Sequence, residues 1–246
     1  MEREGPGIVI ARAPHGEGDL VVTLLTPAGP WRGLAKGGAS RRQSGLWEPG
    51  NIVAARWTAR LPEQLGSYAG ELVHPAAALA MSVPDSLAVL RAACALAAGA
   101  LHEREAAPAA FQGLLRLLAG IESPGFALPE YCRWEVVLLR EAGFGLDFTA
   151  PPGGNDGLAY VSPRTGRAVT LSQAGAWVER LLPLPGFLLG AGAAQLRDCV
   201  AALRLTGHFL ARDVFGARHL PLPPARQALY ERLAARLAEQ EGGDAG

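Results

Sequence analysis

The hydrophobic pattern of this chain changes period once, at His74-Pro75, and that switch limits the folds open to it. Before it, residues 7–74 read as five short strands: GIVIARA, DLVVTLLT, WRGLAKG, NIVAARWTARL and SYAGELVH. Turn-forming stretches such as PHGEG and TPAGP separate them. Alternation is clearest in the fourth strand, where Val53, Ala55, Trp57, Ala59 and Leu61 point one way and Arg56, Thr58 and Arg60 the other. The same period puts Arg32 and Lys36 on one face of the third strand, with Leu34 between them. Five curved, Gly-rich strands of this length predict a small barrel of the OB type.

Past the switch the period becomes helical. Asp85 is placed to cap a helix with the stripe Leu87, Leu90, Cys94, Ala97 and Leu101. Pro108 and Pro129 suit the first turns of two more helices, ended at Gly120 and Gly143. PPGGND (151–156) reads as a loop, and LAYVS and RAVTL flank the turn PRTG as a hairpin. Ser172 is the expected cap of a short helix that Pro183 stops, and helices near 193–215 and 223–240 follow before a frayed EGGDAG tail. The predicted class is therefore α+β. An OB barrel over 1–76 precedes a mostly helical domain, 77–246, with a hairpin inserted near 157–171.

Composition matters mainly through charge. Residues 31–60 hold Arg32, Lys36, Arg41, Arg42, Arg56 and Arg60 against one acid, Glu48, a formal +5 in a chain whose total is zero. Lys36 is the only lysine, so the abundance of arginine says little by itself; its clustering is the informative feature. Cations on two successive strands, with Arg41-Arg42 on a flexible Gly/Ser loop, are what a phosphate backbone requires. These six are the candidate nucleic-acid contacts. Three of the five tryptophans, Trp31, Trp47 and Trp57, lie in the same stretch. Trp57 belongs to the apolar face and is expected in the core, whereas Trp47, on the loop, is the candidate for base stacking.

Catalytic signatures are missing. The run GPWRGLAKGG lacks the spacing and hydroxyl of a phosphate loop, no glycine pair completes a dinucleotide fingerprint, and G-x-S-x-G and H-E-x-x-H do not occur. Cys94, Cys132 and Cys199 are far apart, odd in number and without metal-ligand spacing, as expected of reduced thiols buried as small hydrophobes. No signal segment or membrane span is recognisable, so a cytoplasmic protein is expected, with no catalytic residue, no metal and no cofactor.

Several motifs, in order, resemble those of the bacterial RecO recombination mediators. They are G-I-V-I…HGE…D…V…LT (7–26), GLAKGGASRR (33–42), PGNIV (49–53), RWEVVLLREAGFGLDF (133–148), LAYVSPRTGRAV (158–169) and LPLPPAR (220–226). The resemblance implies a non-enzymatic protein, nucleoid-associated, that binds single- and double-stranded DNA and anneals complementary strands. It further implies partnership with RecR and with the acidic C-terminal tail of the single-strand DNA-binding protein, in helping RecA load. By position it makes Arg32, Lys36, Arg41, Arg42 and Arg56 phosphate contacts. Arg133 becomes a contact for the partner's tail peptide, through bidentate pairing of a carboxylate, unless it is an ordinary helix-surface arginine. Two departures stand out. Many relatives carry four zinc-holding cysteines around 150–175, absent here, so the hairpin must be held by packing; and Pro224 stands where relatives often have lysine. Zero net charge keeps a second hypothesis open, a protein–protein adaptor whose helical part docks an acidic peptide with little intrinsic DNA binding.

Overall fold

The computed structural model describes residues 1–61, 63–150 and 156–243. The loop expected at 151–156 falls, Asp156 apart, outside the described residues, as do the last three residues of the tail. The chain forms two compact units, Met1–Ala127 and Leu128–Gly246.

In the first unit, β1 (Glu2–His15), β2 (Asp19–Thr26), β3 (Gly29–Ala35), β4 (Ile52–Thr58) and β5 (Ser67–His74) pair in the order β1-β2-β3-β5-β4 and close a barrel. β1 begins at Glu2, five residues before the apolar run starts, because Glu2 through Ile8 find partners along β4. Its second half pairs with β2, after a bulge between Val9 and Ala11 that lets one strand serve two walls. The ring is closed by a short parallel pairing, Leu34 with Ser67 and Ala35 with Tyr68. Inside lie Val9, Val22, Leu24, Val53, Ala55, Trp57 and Tyr68, all buried, so the alternation in β4 reports the core correctly through Trp57. Ala59 still packs, partly buried, against that core, and the pattern fails only after it. The strand ends at Thr58 and Leu61 is exposed. Trp47 is also not where loop polarity placed it: it is buried in the barrel core 6.0 Å from the Tyr68 ring, admitted by the bare Cα of Gly70.

Gly33 explains how the ring closes. A Cβ there would sit 2.6 Å from the Tyr68 ring and 3.0 Å from Trp57, so only glycine lets the two aromatics meet over β3. Gly66, at φ +71°, does the same for the far side of Trp57.

Ile8, Ile10, Leu25 and Ile52 are buried as well but do not belong to the barrel's inner cluster. They lie on the opposite face of their strands, and the helices of the same unit cover them. These are the short α1 (Ala76–Leu79), α2 (Ser86–Ala100), which packs on β1, and α3 (Pro108–Ala119), which packs on β2. The Cys94 thiol on α2 reaches the Val9 carbonyl at 3.7 Å, and Ser86 donates to the Ile121 carbonyl at 2.9 Å. Asp85 does precede α2, but in the left-handed region at φ 68° and without a side-chain cap bond.

In the second unit, α4 (Ala127–Glu141) buries Tyr131, Cys132, Trp134, Glu135, Leu138 and Leu139. The hairpin is β6 (Leu158–Val161) with β7 (Ala168–Thr170), as expected, and β8 (Leu182–Pro183) adds a third strand to its other edge. Two backbone bonds between Asp147 and the hairpin, and His208 with Arg212 on the Pro163 carbonyl, hold it in place. Thr170, not Ser172, caps the short α5 (Leu171–Ala174), and the turn after it ends at Arg180, before Pro183 is reached. α6 (Leu196–Phe209) continues into a wider turn through Phe215, and α7 (Pro224–Gly243) runs three residues past its expected end.

Candidate nucleic-acid interface

All six cations singled out from the sequence point outward and are exposed. The fold decides how they are held. Arg32 leaves β3 beside Trp57, whose indole Nε1 donates at 3.0 Å both to the Arg32 carbonyl and to the Leu65 carbonyl. That fork ties β3 to the β4–β5 connection, and Arg60 follows Trp57 by three residues on the outward face. Ala59 is fixed in turn by paired bonds with Met1.

Lys36, Arg41 and Arg42 stand on the connection between β3 and β4. This segment is not a slack tether. Successive turns bond Gly38 to Ala35, Ser40 to Gly37 and Gln43 to Ser40. Asp19 accepts from Gly37 N at 2.7 Å, and Gly18 accepts from Ala39 N at 3.0 Å, which pins it to the β1–β2 turn. Further along, Arg12 pairs with Glu48 and donates to the Ser44 carbonyl, while Asn51 donates to the Gly45 carbonyl at 2.7 Å. The one acid of the 31–60 stretch is thus consumed by a cation from outside it. Among the described residues, Arg32, Lys36, Arg41, Arg42 and Arg60 make no ion pair.

Arg56 differs. It faces Glu4 across the β1–β4 ladder and lies 3.7 Å from Glu2, both exposed. The Glu2 carboxylate therefore takes up part of its charge, and a phosphate would compete with it. Arg133, on α4 of the second unit, is half-buried: its guanidinium is 3.4 Å from the Glu130 carboxylate and 5.3 Å from the Phe187 ring centre. It offers a carboxylate ligand a cation beside an aromatic face, though one already engaged by an acid.

Sequence reasoning passed over a buried polar centre in the second unit. Arg226 of α7 forks onto Glu135 of α4, Nε to Oε1 and Nη2 to Oε2, each at 3.0 Å. Thr206 of α6 donates to the same carboxylate, and the Leu203 carbonyl accepts from Arg226. Burial works against the Arg226 charge, but Glu135 outweighs it and holds the guanidinium protonated. Burial, reinforced by Glu135, also keeps the Tyr131 phenol neutral. Every charge in this centre is matched, so it is a structural clamp between three helices.

A closed five-stranded barrel that carries cations outward on pinned ribbons, joined to a helical unit, defines a class: α+β proteins built on an OB barrel. Comparison with known proteins narrows it. Residues 1–76 match the model of the Recombination protein O N terminal and residues 81–220 that of the Recombination protein O C terminal. The chain is 59% identical over 244 residues to the DNA repair protein RecO of Acidiphilium cryptum strain JF-5, covering 96% of this chain and 97% of that one. It is 54% identical over 248 residues to that of Granulibacter bethesdensis, with 98% of each covered, and 48% identical over 244 residues to that of Gluconacetobacter diazotrophicus, with 96% of each covered. The chain belongs to the RecO family of DNA repair and recombination proteins. Among its described residues, no helix is long and apolar enough to cross a membrane.

Proposed function

We propose that the protein is a non-catalytic mediator of recombinational repair that binds single- and double-stranded DNA and anneals complementary strands. It does so by neutralising phosphate along the barrel surface, with Arg32, Lys36, Arg41, Arg42, Arg56 and Arg60 as the contacts. The observation that carries this reading is the set of five unpaired, exposed cations held on hydrogen-bonded ribbons. A cation carried on a pre-ordered backbone costs little backbone freedom on meeting a phosphate. Two strands on such a surface are screened from each other, which is the physical requirement for annealing. In this reading the protein works in the cytoplasm at the nucleoid, with RecR, and helps RecA load on DNA coated by single-strand-binding protein. Arg133 would receive the acidic tail of that protein, and the exposed part of its guanidinium beside Phe187 suits a carboxylate next to an apolar ring.

Salt titration of oligonucleotide binding tests the mechanism. Each phosphate contact contributes about −0.7 to the slope of log K against log salt for a single strand. Changing Arg41 and Arg42 together to Glu removes two contacts, so the slope should flatten by about 1.4 while the melting temperature stays put. An unchanged slope and affinity, in fluorescence anisotropy with a labelled oligonucleotide, would refute the assignment. Binding that is weak and nearly independent of salt would favour the adaptor reading, which the chain's zero net charge supports.

A further inference from the structure

The barrel contains a cavity of about 230 Å³ walled by Leu24, Trp31, Ala55, Trp57 and Tyr68, with Arg3 and Glu4 at its edge. None of the nucleic-acid contacts proposed above lines it. We infer that this cavity is a docking pocket for one apolar aromatic side chain, such as phenylalanine, presented by an uncharged segment of a protein partner.

Size sets the first limit. The volume exceeds the ~150 Å³ of a cavity that accepts benzene. It is smaller than the roughly 300 Å³ at which pockets for drug-sized ligands begin. One ring fits inside it, and the rest of a larger ligand would lie outside.

Polarity sets the second. Each polar side-chain atom in the wall is already used within the barrel. Tyr68 Oη donates to the Trp31 carbonyl at 2.9 Å, and Trp31 Nε1 donates to the Ala28 carbonyl at 3.3 Å. Trp57 Nε1 is shared between Arg32 and Leu65, and the Thr26 hydroxyl donates to the Gly29 carbonyl while accepting from Ala28 N. Apart from Arg3 and Glu4 at the edge, the wall has no side-chain donor to spare, so the acceptor groups of a nucleobase would be buried there without a partner. A hydrocarbon ring meets no such penalty and gains aromatic contact on several sides.

Charge sets the third. Arg3 lies 4.2 Å and Arg104 5.0 Å from the Trp31 ring, but Glu4 also lines the cavity and Glu103 is 3.8 Å from Arg104. Of these charged groups only Arg3 and Glu4 line the cavity, one cation against one acid, so neither a phosphate chain nor a strongly acidic peptide is drawn to it. The matching occupant is neutral. A buried aromatic anchor in a fitted pocket, with polar groups around it, is the usual form of an interface hot spot.

The test is ligand-observed NMR on the full-length protein with N-acetyl-L-phenylalaninamide as the probe. Thymidine 5′-monophosphate and N-acetyl-L-aspartate amide serve as competitors. Saturable binding of the phenylalanine probe that neither competitor displaces is the expected result. Two plugged variants locate it: Ala55→Leu fills the cavity from the wall, and Ala28→Phe closes it from the half-exposed β2–β3 turn. Either one, if folded by its circular dichroism, should weaken the probe at least tenfold. No saturable binding overturns the proposal. So does displacement by the nucleotide, or full binding by a folded Ala28→Phe protein.

Discussion

Glu135 shows how a residue can matter without touching a ligand. It is fully buried among α4, α6 and α7, and its carboxylate meets Arg226 and Thr206. Removing one partner of such a pair strands a buried charge, which costs about 3–5 kcal/mol. Glu135→Ala should therefore lose that much in urea unfolding, and the double change Glu135→Leu with Arg226→Met should lose markedly less. A loss under 1 kcal/mol for the single variant would mean the pair is more hydrated than its geometry shows. Neither residue could be paired from sequence, although both lie in motifs quoted for the family resemblance: 91 positions separate them, and no local pattern spans that distance. The arginine that did attract notice, Arg133, is the more exposed one. Trp47 escaped for a related reason, since its burial is created by Gly70 and Tyr68 on another strand while its own neighbours read as a loop.

The thiols give a second prediction at this scale. Burial pushes Cys94 up to about 12, and it pushes Cys132 up as well, while the Cys132 thiol lowers Cys199. A raised pKa means the folded state keeps the proton that the unfolded chain gives up near pH ~8.5. The stability linked to Cys94 and Cys132 is thus present below that pH and is lost as pH rises toward the folded values. Each contributes a slope of at most about 1.4 kcal/mol per pH unit, with Cys199 opposing. Denaturation midpoints should fall between pH 9 and 10.5 in the parent, and less steeply in Cys94→Ala. A flat profile would show the thiols to be solvated.

At the scale of elements, the two glycine sites in and beside β3 make opposite predictions for one substitution. At Gly33 a methyl group collides with the rings of Tyr68 and Trp57, which are fixed in place by bonds to Trp31 and Arg32. Gly33→Ala should cost about 1–3 kcal/mol, as overpacking does, and disturb the near-ultraviolet signal of the barrel tryptophans. Gly45, on the β3–β4 connection, has open space where a Cβ would stand and no left-handed φ. There Gly→Ala should be neutral or stabilise by about 0.4–1 kcal/mol, since it restricts only the unfolded chain. Chemical denaturation of both variants checks the pair, and a stabilised Gly33→Ala protein would contradict the closure described for β3 and β5. Strands were legible here because alternation and turn residues are local signals. The two-residue β8 was not, because an edge partner that short carries no period.

For the molecule as a whole, the sequence switch at His74-Pro75 marks where strands stop, not where packing stops. The apolar run Ile8-Val9-Ile10 already contained that information, because a strand with one solvated face alternates and this one does not. Val9 faces the barrel core, and Ile8 and Ile10, with Leu25 and Ile52, lie outside that core yet stay buried. Their cover is α2 and α3, which belong to the same compact unit, Met1–Ala127. A fragment ending at residue 76 would expose these four side chains, each worth about 1.5–3 kcal/mol of burial, on a barrel too small to spare them. A fragment ending at residue 127 keeps them covered and keeps the Ser86–Ile121 and His74–Leu118 bonds. The longer fragment should therefore unfold cooperatively with a native near-ultraviolet spectrum and bind no 1-anilinonaphthalene-8-sulfonate. The shorter one should bind the dye or aggregate. Cooperative unfolding of the 1–76 fragment without dye binding would show that the barrel stands alone and that the helices only decorate it.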